Sequence, residues 1–91
     1  MSRIERLTLQ AVEFIPDHLE SGVLYYSEKY GCANHLCACG CGHQAPIPVG
    51  DAADDWKITI TDGEVTLSPS LLHRFECRSH YLVENGLIRW A

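Results

Sequence analysis

A cysteine-rich segment in the middle of the chain constrains its fold more than any other feature. From His35 to His43 the sequence reads HLCACGCGH, so three cysteines alternate with small residues between two histidines. Thiolate and imidazole are ligands that tetrahedral zinc prefers, and Gly40 and Gly42 allow the sharp bending that would bring alternate cysteines to one ion. The segment therefore predicts a metal-binding knuckle carried by a loop.

Three cysteines leave a tetrahedral site one ligand short, and a further cysteine returns late in the chain. The predicted ligands of one structural zinc ion are Cys37, Cys39, Cys41 and Cys77. Competing ligands are Cys32, His35, His43 and His80. Free cysteines packed as small apolar side chains are a weak alternative, because three thiols within five residues would be prone to oxidation. An iron–sulfur cluster is the other alternative, although alternating cysteines suit its corners poorly.

Composition predicts a small cytoplasmic protein. The chain has 91 residues, 46% of them hydrophobic and 21% charged, which is typical of a single folded domain covering residues 1–91. We see no signal-like or membrane-spanning apolar run, so we expect a reducing compartment in which cysteines bind metal rather than form disulfides. The net charge of -5 and the scattered basic residues argue against a nucleic-acid partner.

Alternating apolar residues and turn signals predict a mostly β fold. Trp56–Thr61 and Glu64–Leu67 flank an Asp-Gly turn, and Cys77–Val83 and Leu87–Trp90 flank a second turn. We therefore expect a small single domain of antiparallel hairpins with a loop-borne zinc knuckle.

Other segments give weaker signals. Leu7–Ile15 and Val23–Glu28 read as strands, and the prolines in 45–48 exclude a helix there. Ser68–Ser70 contains a proline and is expected to end its strand. We expect Leu71–Phe75 to form a short helical turn.

Catalysis would have to come from side chains near the metal, because four thiolates leave zinc no open position. If Cys77–Ser79 is extended, Ser79 shares a strand face with Cys77, and His35 shares one with Cys37 in the same way. A zinc ion that joins the two cysteines would then bring Ser79 and His35 together. A serine beside a histidine is the minimum for nucleophilic hydrolysis.

Ordinary structural roles compete with this interpretation. A histidine beside a metal site is more often a hydrogen-bonding or packing residue than a catalytic base. Ser70 is a rival nucleophile, although serine after proline is also common in turns. His80 is a rival base, and Glu28 could orient a histidine or simply lie at a solvated strand end.

Five motifs occur along the chain in one order: IPDHLESGVLY, SEKYG, HLCACGCG, LSPS and CRSHY. Together they resemble the BubE-like family, small cysteine-rich serine peptidases encoded in bacterial ubiquitination-like (Bub) operons. The resemblance covers Ile15 to Ala91. It implies an enzyme that processes or removes a ubiquitin-like protein, with the activating and conjugating enzymes of that system as further candidate partners.

The residues and the resemblance together predict a zinc-stabilised serine peptidase or isopeptidase. Ser79 would attack the scissile carbonyl, His35 would accept its proton, and His80 or Glu28 would assist. The alternative is a non-catalytic zinc-knuckle adaptor that binds proteins of a ubiquitin-like conjugation pathway. A thiol redox or metal-sensing role would need an exposed, metal-free cysteine, and Cys32 is the candidate.

Overall fold

The computed structural model of the chain describes residues 3–73 and 77–91, which form two four-stranded sheets. The N-terminal sheet has the order β1-β2-β3-β4 and contains β1 (Thr8–Ala11), β2 (Val23–Ser27), β3 (Cys32–Asn34) and β4 (Ile47–Pro48). The C-terminal sheet has the order β5-β6-β7-β8 and contains β5 (Lys57–Thr61), β6 (Glu64–Leu72), β7 (His80–Glu84) and β8 (Leu87–Trp90). Within these described ranges we find no helix with the length and apolarity needed to cross a membrane.

The predicted mostly β fold is confirmed, with one difference in strand direction. All neighbouring strands pair antiparallel except β1 and β2, which run parallel. Parallel neighbours need a connection long enough to return the chain to the same end of the sheet. Residues 12–22 supply that connection, which the hairpin interpretation of the sequence did not include.

Both predicted hairpins are present, and their turns explain why. Asp62 and Gly63 have φ values of 52° and 79°, and Asn85 and Gly86 have values of 49° and 79°. Two consecutive left-handed residues are typical of the type I′ turn, whose twist matches that of the two flanking strands. These local sequences therefore determine where two of the chain reversals lie.

The predicted break at Ser68–Ser70 is wrong, because β6 continues to Leu72. The register with β7 shifts between Leu67 and Leu71, so Ser68–Ser70 bulge away from β7, although Ser68 still pairs with Lys57 of β5. Pro69 is tolerated at this bulge because no ladder bond is required of it.

The predicted helical turn over Leu71–Phe75 is also wrong where the structure describes it, because the strand continues past the bulge. Leu71 and Leu72 belong to β6, and Leu71 is buried against the core with 1% of its surface exposed. Burial of this leucine by the opposite sheet outweighs the local turn signal. Phe75 itself lies outside the described residues.

Strand β7 begins at His80, not at Cys77 as the sequence suggested. Arg78 has a φ of 47°, a left-handed conformation that interrupts an extended chain. Cys77–Ser79 therefore forms a bend that leads into β7.

One apolar core joins the two sheets and the cysteine loop. Cys37 and Ala38 are fully buried in it, so the loop lies against the core rather than apart from it. The other buried members come from both sheets and from the segment before β1: Leu7, Leu24, Ala33, Ile47, Val49, Val65, Leu67, Leu71, Tyr81 and Val83.

Candidate active site and metal centre

Four cysteine sulfurs converge where the loop after β3 meets the bend before β7. The Sγ atoms of Cys37, Cys39, Cys41 and Cys77 all lie within 4.8 Å of one another. The Cys37–Cys39 distance is 3.6 Å, and Cys77 lies 3.7 Å from both Cys37 and Cys41. A tetrahedral ion with zinc–sulfur bonds of about 2.3 Å would space its sulfurs about 3.8 Å apart. The cluster thus fits a single four-coordinate metal ion, and the thiolate donors suit zinc.

The loop backbone brings alternate cysteines to one point by turning back on itself. The Cys37 N–H donates to the His43 carbonyl at 2.9 Å, and the Gly40 N–H donates to the Cys37 carbonyl at 3.1 Å. Gly40 and Gly42 have φ values of 89° and 87°, in the left-handed region that glycine adopts without steric cost. The glycines thus perform the bending that the sequence predicted for them.

The thiols of Cys37 and Cys39 do not ionise alike. Burial raises the pKa of the Cys37 thiol to about 12. Burial also raises the pKa of Cys39, but hydrogen bonds from Ser79 and from Cys41 outweigh it and lower that pKa to about 6. A cluster that already favours one thiolate is suited to exchange its remaining protons for a metal ion.

The competing ligands lie outside this four-sulfur cluster. Cys32 lies on β3 and is half-buried. His43 places Nδ1 3.2 Å from the Cys41 sulfur, where it is a hydrogen-bonding neighbour of a ligand. Thiolates of an iron–sulfur cluster bind separate iron atoms, so such close sulfurs favour one ion over a cluster.

Ser79 is directed toward the sulfur cluster. Its hydroxyl donates to the Cys77 Sγ at 3.3 Å, and only 7% of its surface is exposed. Within residues 3–73 and 77–91, no hydrogen bond joins Ser79 to His35. The predicted Ser79–His35 pair therefore stays a prediction, while the contact that the structure contains is with Cys77, one of the four clustered cysteines.

His35 belongs to a buried network centred on the Tyr81 hydroxyl. His35 is fully buried, and its Nε2 lies 2.7 Å from the Tyr81 hydroxyl oxygen. The same oxygen lies 2.7 Å from Nε2 of His73 and accepts the Ala38 N–H at 3.3 Å. Burial, with a contribution from His73, lowers the pKa of His35 to about 3, and burial also lowers that of His73. Both rings are therefore neutral at pH 7.

A different serine and histidine meet on the outer face of the C-terminal sheet. The Ser70 Oγ lies 2.8 Å from the His80 Nε2. Leu72 pairs with His80 across the ladder, and Ser70 shares a face with Leu72 because side chains alternate along a strand. Ser70 and His80 are thus diagonal neighbours, close enough for a hydrogen bond. The sequence named both residues as rivals but offered no signal that they pair.

An apolar surface adjoins this pair. The Leu72 side chain is 54% exposed. It borders a groove of about 250 Å³ whose other walls are residues 44–47, Trp56, Leu71 and His73. Glu28, by contrast, lies in the turn after β2, and in the described ranges neither a hydrogen bond nor an ion pair joins it to a histidine.

Comparison with known proteins identifies the family to which these features belong. A family model described as BubE, a bacterial ubiquitination-like system serine protease, matches residues 11–91. Comparisons with curated proteins and with solved structures gave no match. The match covers strands β2 to β8, the four-cysteine cluster and the outer-face serine and histidine. The chain belongs to the BubE family of serine proteases of bacterial ubiquitination-like systems.

Proposed function

We propose that this chain is a serine peptidase or isopeptidase in which Ser70 is the nucleophile and His80 the general base. The hydrogen bond of 2.8 Å between the Ser70 Oγ and the His80 Nε2 carries the proposal. A nucleophilic serine needs a base within about 2.6–3.2 Å to accept its proton. In the described part of the chain, no other serine hydroxyl is hydrogen-bonded to an imidazole.

Accessibility supports Ser70 over Ser79. Ser70 is half-buried and His80 exposed, so a substrate carbonyl can approach the pair from solvent. Ser79 and His35 are both buried; the Ser79 hydroxyl already binds Cys77, and the His35 Nε2 already binds the Tyr81 hydroxyl. A substrate could reach them only after the core around the cysteine loop had opened.

The reaction follows from the geometry of the pair. The His80 Nε2 accepts the Ser70 hydroxyl proton as Oγ forms its bond to the scissile carbonyl carbon. The same nitrogen then protonates the leaving nitrogen, and the bond between carbonyl carbon and nitrogen breaks. Water then loses a proton to the His80 Nε2 and forms a bond to the acyl carbon. The bond from that carbon to the Ser70 Oγ breaks, His80 returns the proton to Oγ, and the carboxylic acid is released. No redox partner is required.

A ubiquitin-like protein of the same system is the proposed substrate. The family description supports a role in such a system. The groove that begins at Leu72, the cross-strand partner of His80, offers an apolar surface for an extended protein tail. Cleavage after that tail would either mature a precursor or release a conjugate. The activating and conjugating enzymes are further proposed partners, and the cytoplasm stays the predicted compartment.

Zinc is the proposed structural metal. The site would hold the loop after β3 to the bend before β7, and thereby the start of the strand that carries His80. With four thiolate ligands zinc is closed to substrate, so its contribution is to the fold rather than to bond cleavage.

A serine-directed fluorophosphonate probe tests the proposal, with mass spectrometry to locate the modified residue. We expect Ser70 to be labelled in the metal-loaded protein, and labelling to disappear in His80→Gln. We also expect the protein to cleave the ubiquitin-like protein of its operon when that protein carries a C-terminal extension. Labelling of Ser79 would overturn the assignment in favour of the pair predicted from sequence. Binding of the ubiquitin-like protein without labelling or cleavage would favour the adaptor.

A further inference from the structure

The Tyr81 hydroxyl joins three separate parts of the chain inside the core. It contacts His35 and the Ala38 N–H of the cysteine loop, and it contacts His73 at the end of β6. Tyr81 is fully buried, so water cannot take the place of any of these partners. The hydroxyl is therefore a fixed junction between the metal loop, β6 and β7.

The number of hydrogens available at this junction restricts the two histidines. A phenol hydroxyl donates one hydrogen bond and accepts two. The Ala38 N–H occupies one acceptor position. One imidazole Nε2 must therefore donate to the Tyr81 oxygen, and the other must accept the Tyr81 hydrogen.

The unpaired nitrogen of His35 decides which imidazole donates a hydrogen bond to Tyr81 and which one accepts. Its Nδ1 is buried and has no hydrogen-bond partner. A buried N–H without an acceptor is rarer and more costly than a buried lone pair without a donor. His35 should therefore carry its hydrogen on Nε2 and donate it to Tyr81. Tyr81 then donates to Nε2 of His73, which leaves the His73 hydrogen on Nδ1.

We propose that Tyr81 is a positioning residue for the catalytic pair. This inference rests on the proposed roles of Ser70 and His80. The Tyr81 hydroxyl contacts His35, Ala38 and His73 rather than the proposed reacting atoms. Tyr81 is nevertheless the chain neighbour of His80 and points to the opposite face of β7. Its bond to His73 ties β7 to the end of β6, immediately beyond the bulge that carries Ser70.

The location explains why such a tie is needed. The ladder between β6 and β7 is interrupted between Leu67 and Leu71 and resumes only for Leu71 and Leu72, where β6 ends. Beyond it the His73 N–H donates to the Ser79 carbonyl at 2.9 Å. With a short ladder, the Tyr81–His73 bond sets the spacing of the two strands at the point where Ser70 and His80 face each other.

Histidine tautomers in the unsubstituted, metal-loaded protein give the first test. Long-range nitrogen–proton NMR of ¹⁵N-labelled protein distinguishes hydrogen on Nδ1 from hydrogen on Nε2. We expect the Nε2–H form for His35 and the Nδ1–H form for His73. Hydrogen on Nδ1 of His35 would overturn the inferred direction, and the same tautomer in both rings would overturn the junction itself. This test needs neither a substrate nor a variant.

Tyr81→Phe gives the second test, because it removes the hydroxyl and keeps the ring. We expect the rate of fluorophosphonate labelling at Ser70, and kcat with an unchanged KM, to fall about 10- to 100-fold, as misplacement of a reacting group does. The zinc content should stay the same. The control is Tyr25→Phe, since the Tyr25 hydroxyl accepts the Glu20 N–H at 3.1 Å in the other sheet.

Equal labelling rates for the Tyr81→Phe and Tyr25→Phe proteins would overturn the positioning role. If Tyr81→Phe does not fold, as seen in its NMR spectrum, the labelling rate is compared for His73→Ala instead, which removes the other partner of the Tyr81–His73 bond. Failure of the unsubstituted protein to label at Ser70 would instead overturn the proposed function. The two failures are thus distinguishable.

Discussion

Ser79 and Ser70 are the two candidate nucleophiles of this chain, and they differ in burial and in hydrogen-bond partner. Ser79 is buried beside the sulfur cluster and donates to Cys77. Ser70 lies on the outer face of the C-terminal sheet and contacts the exposed His80. One hydroxyl contacts a cysteine of the candidate metal site, and the other contacts the histidine that we propose as its base.

The difference arises from alternation along one strand. Tyr81 points inward to the loop and core, whereas His80 points outward to Ser70. A single short strand therefore presents one residue to the metal region and its neighbour to the reactive face. The two regions are physically connected but chemically separate, and each can be altered without substituting residues of the other.

Metal removal should have the largest effect, and it should act on both regions. Structural zinc sites supply on the order of 10 kcal/mol of binding free energy, comparable to the whole stability of a small domain. We expect a strong chelator, or Cys77→Ser, to unfold much of the chain, as measured by circular dichroism. Metal analysis should find about one zinc per chain.

Cys32→Ser is the matched control for that experiment, because Cys32 lies outside the four-sulfur cluster. It should keep the metal and the melting temperature. A chelated protein that melts at the same temperature as the metal-loaded one would contradict the structural role of the site.

Substitution of Ser70 should lower peptidase activity far more than substitution of Ser79. We expect Ser70→Ala to lower kcat for cleavage of a ubiquitin-like protein–reporter fusion by about 10³- to 10⁴-fold, because it removes the nucleophile. Ser79→Ala should lower it less than about tenfold, since loss of a neighbour that only orients a ligand is felt indirectly. Single-turnover kinetics measure both values. The reverse ranking would show that the buried serine attacks.

For metal affinity the order of the two variants should be reversed, with Ser79→Ala showing the larger effect. The Ser79 hydroxyl donates to the Cys77 sulfur, and loss of such a partner costs about 10- to 100-fold in affinity. We expect Ser79→Ala to weaken zinc binding by this factor in competition with a chromophoric chelator. Ser70→Ala should bind zinc as the unsubstituted chain does. Equal affinities would remove the distinction between the two serines.

Acid should destabilise the inner region through its neutral histidines. The pKa values of His35 and His73 are lowered in the fold by burial, so below about pH 6.5 the unfolded chain binds more protons than the folded chain. Stability is then complete above that pH and falls as the pH decreases, by up to about 1.4 kcal/mol per pH unit for each ring. Urea unfolding from pH 7.5 to 5.5 measures this slope.

His73→Gln provides the comparison, because metal loss in acid affects it and the unsubstituted chain alike. Its slope should be shallower by the contribution of one imidazole. An unchanged slope would mean that His73 does not titrate with unfolding.

Much of the fold could be predicted from local signals. Asp62-Gly63 and Asn85-Gly86 both form tight turns, because few other residue pairs adopt two left-handed conformations so readily. The cysteine spacing and its glycines likewise predicted the group of four residues that could hold a metal ion. These features depend on a few adjacent residues.

The Ser70–His80 contact could not be predicted in this way. It depends on the register shift between Leu67 and Leu71, which the sequence reads as the end of a strand. Burial of Leu71 and Tyr81 in the core continues the strand past the bulge, and alternation along the strand then turns Ser70 outward. The Ser79–His35 prediction assumed a strand from Cys77, and the left-handed Arg78 removes that assumption.

By itself the sequence determined the mostly β fold, the type I′ turns and the four cysteines that converge, because residue type decides these through backbone conformation and ligand chemistry. Only the tertiary structure decided which serine meets which histidine. That choice depends on strand register and on the face that each strand buries, and both are set by packing between residues far apart in the chain.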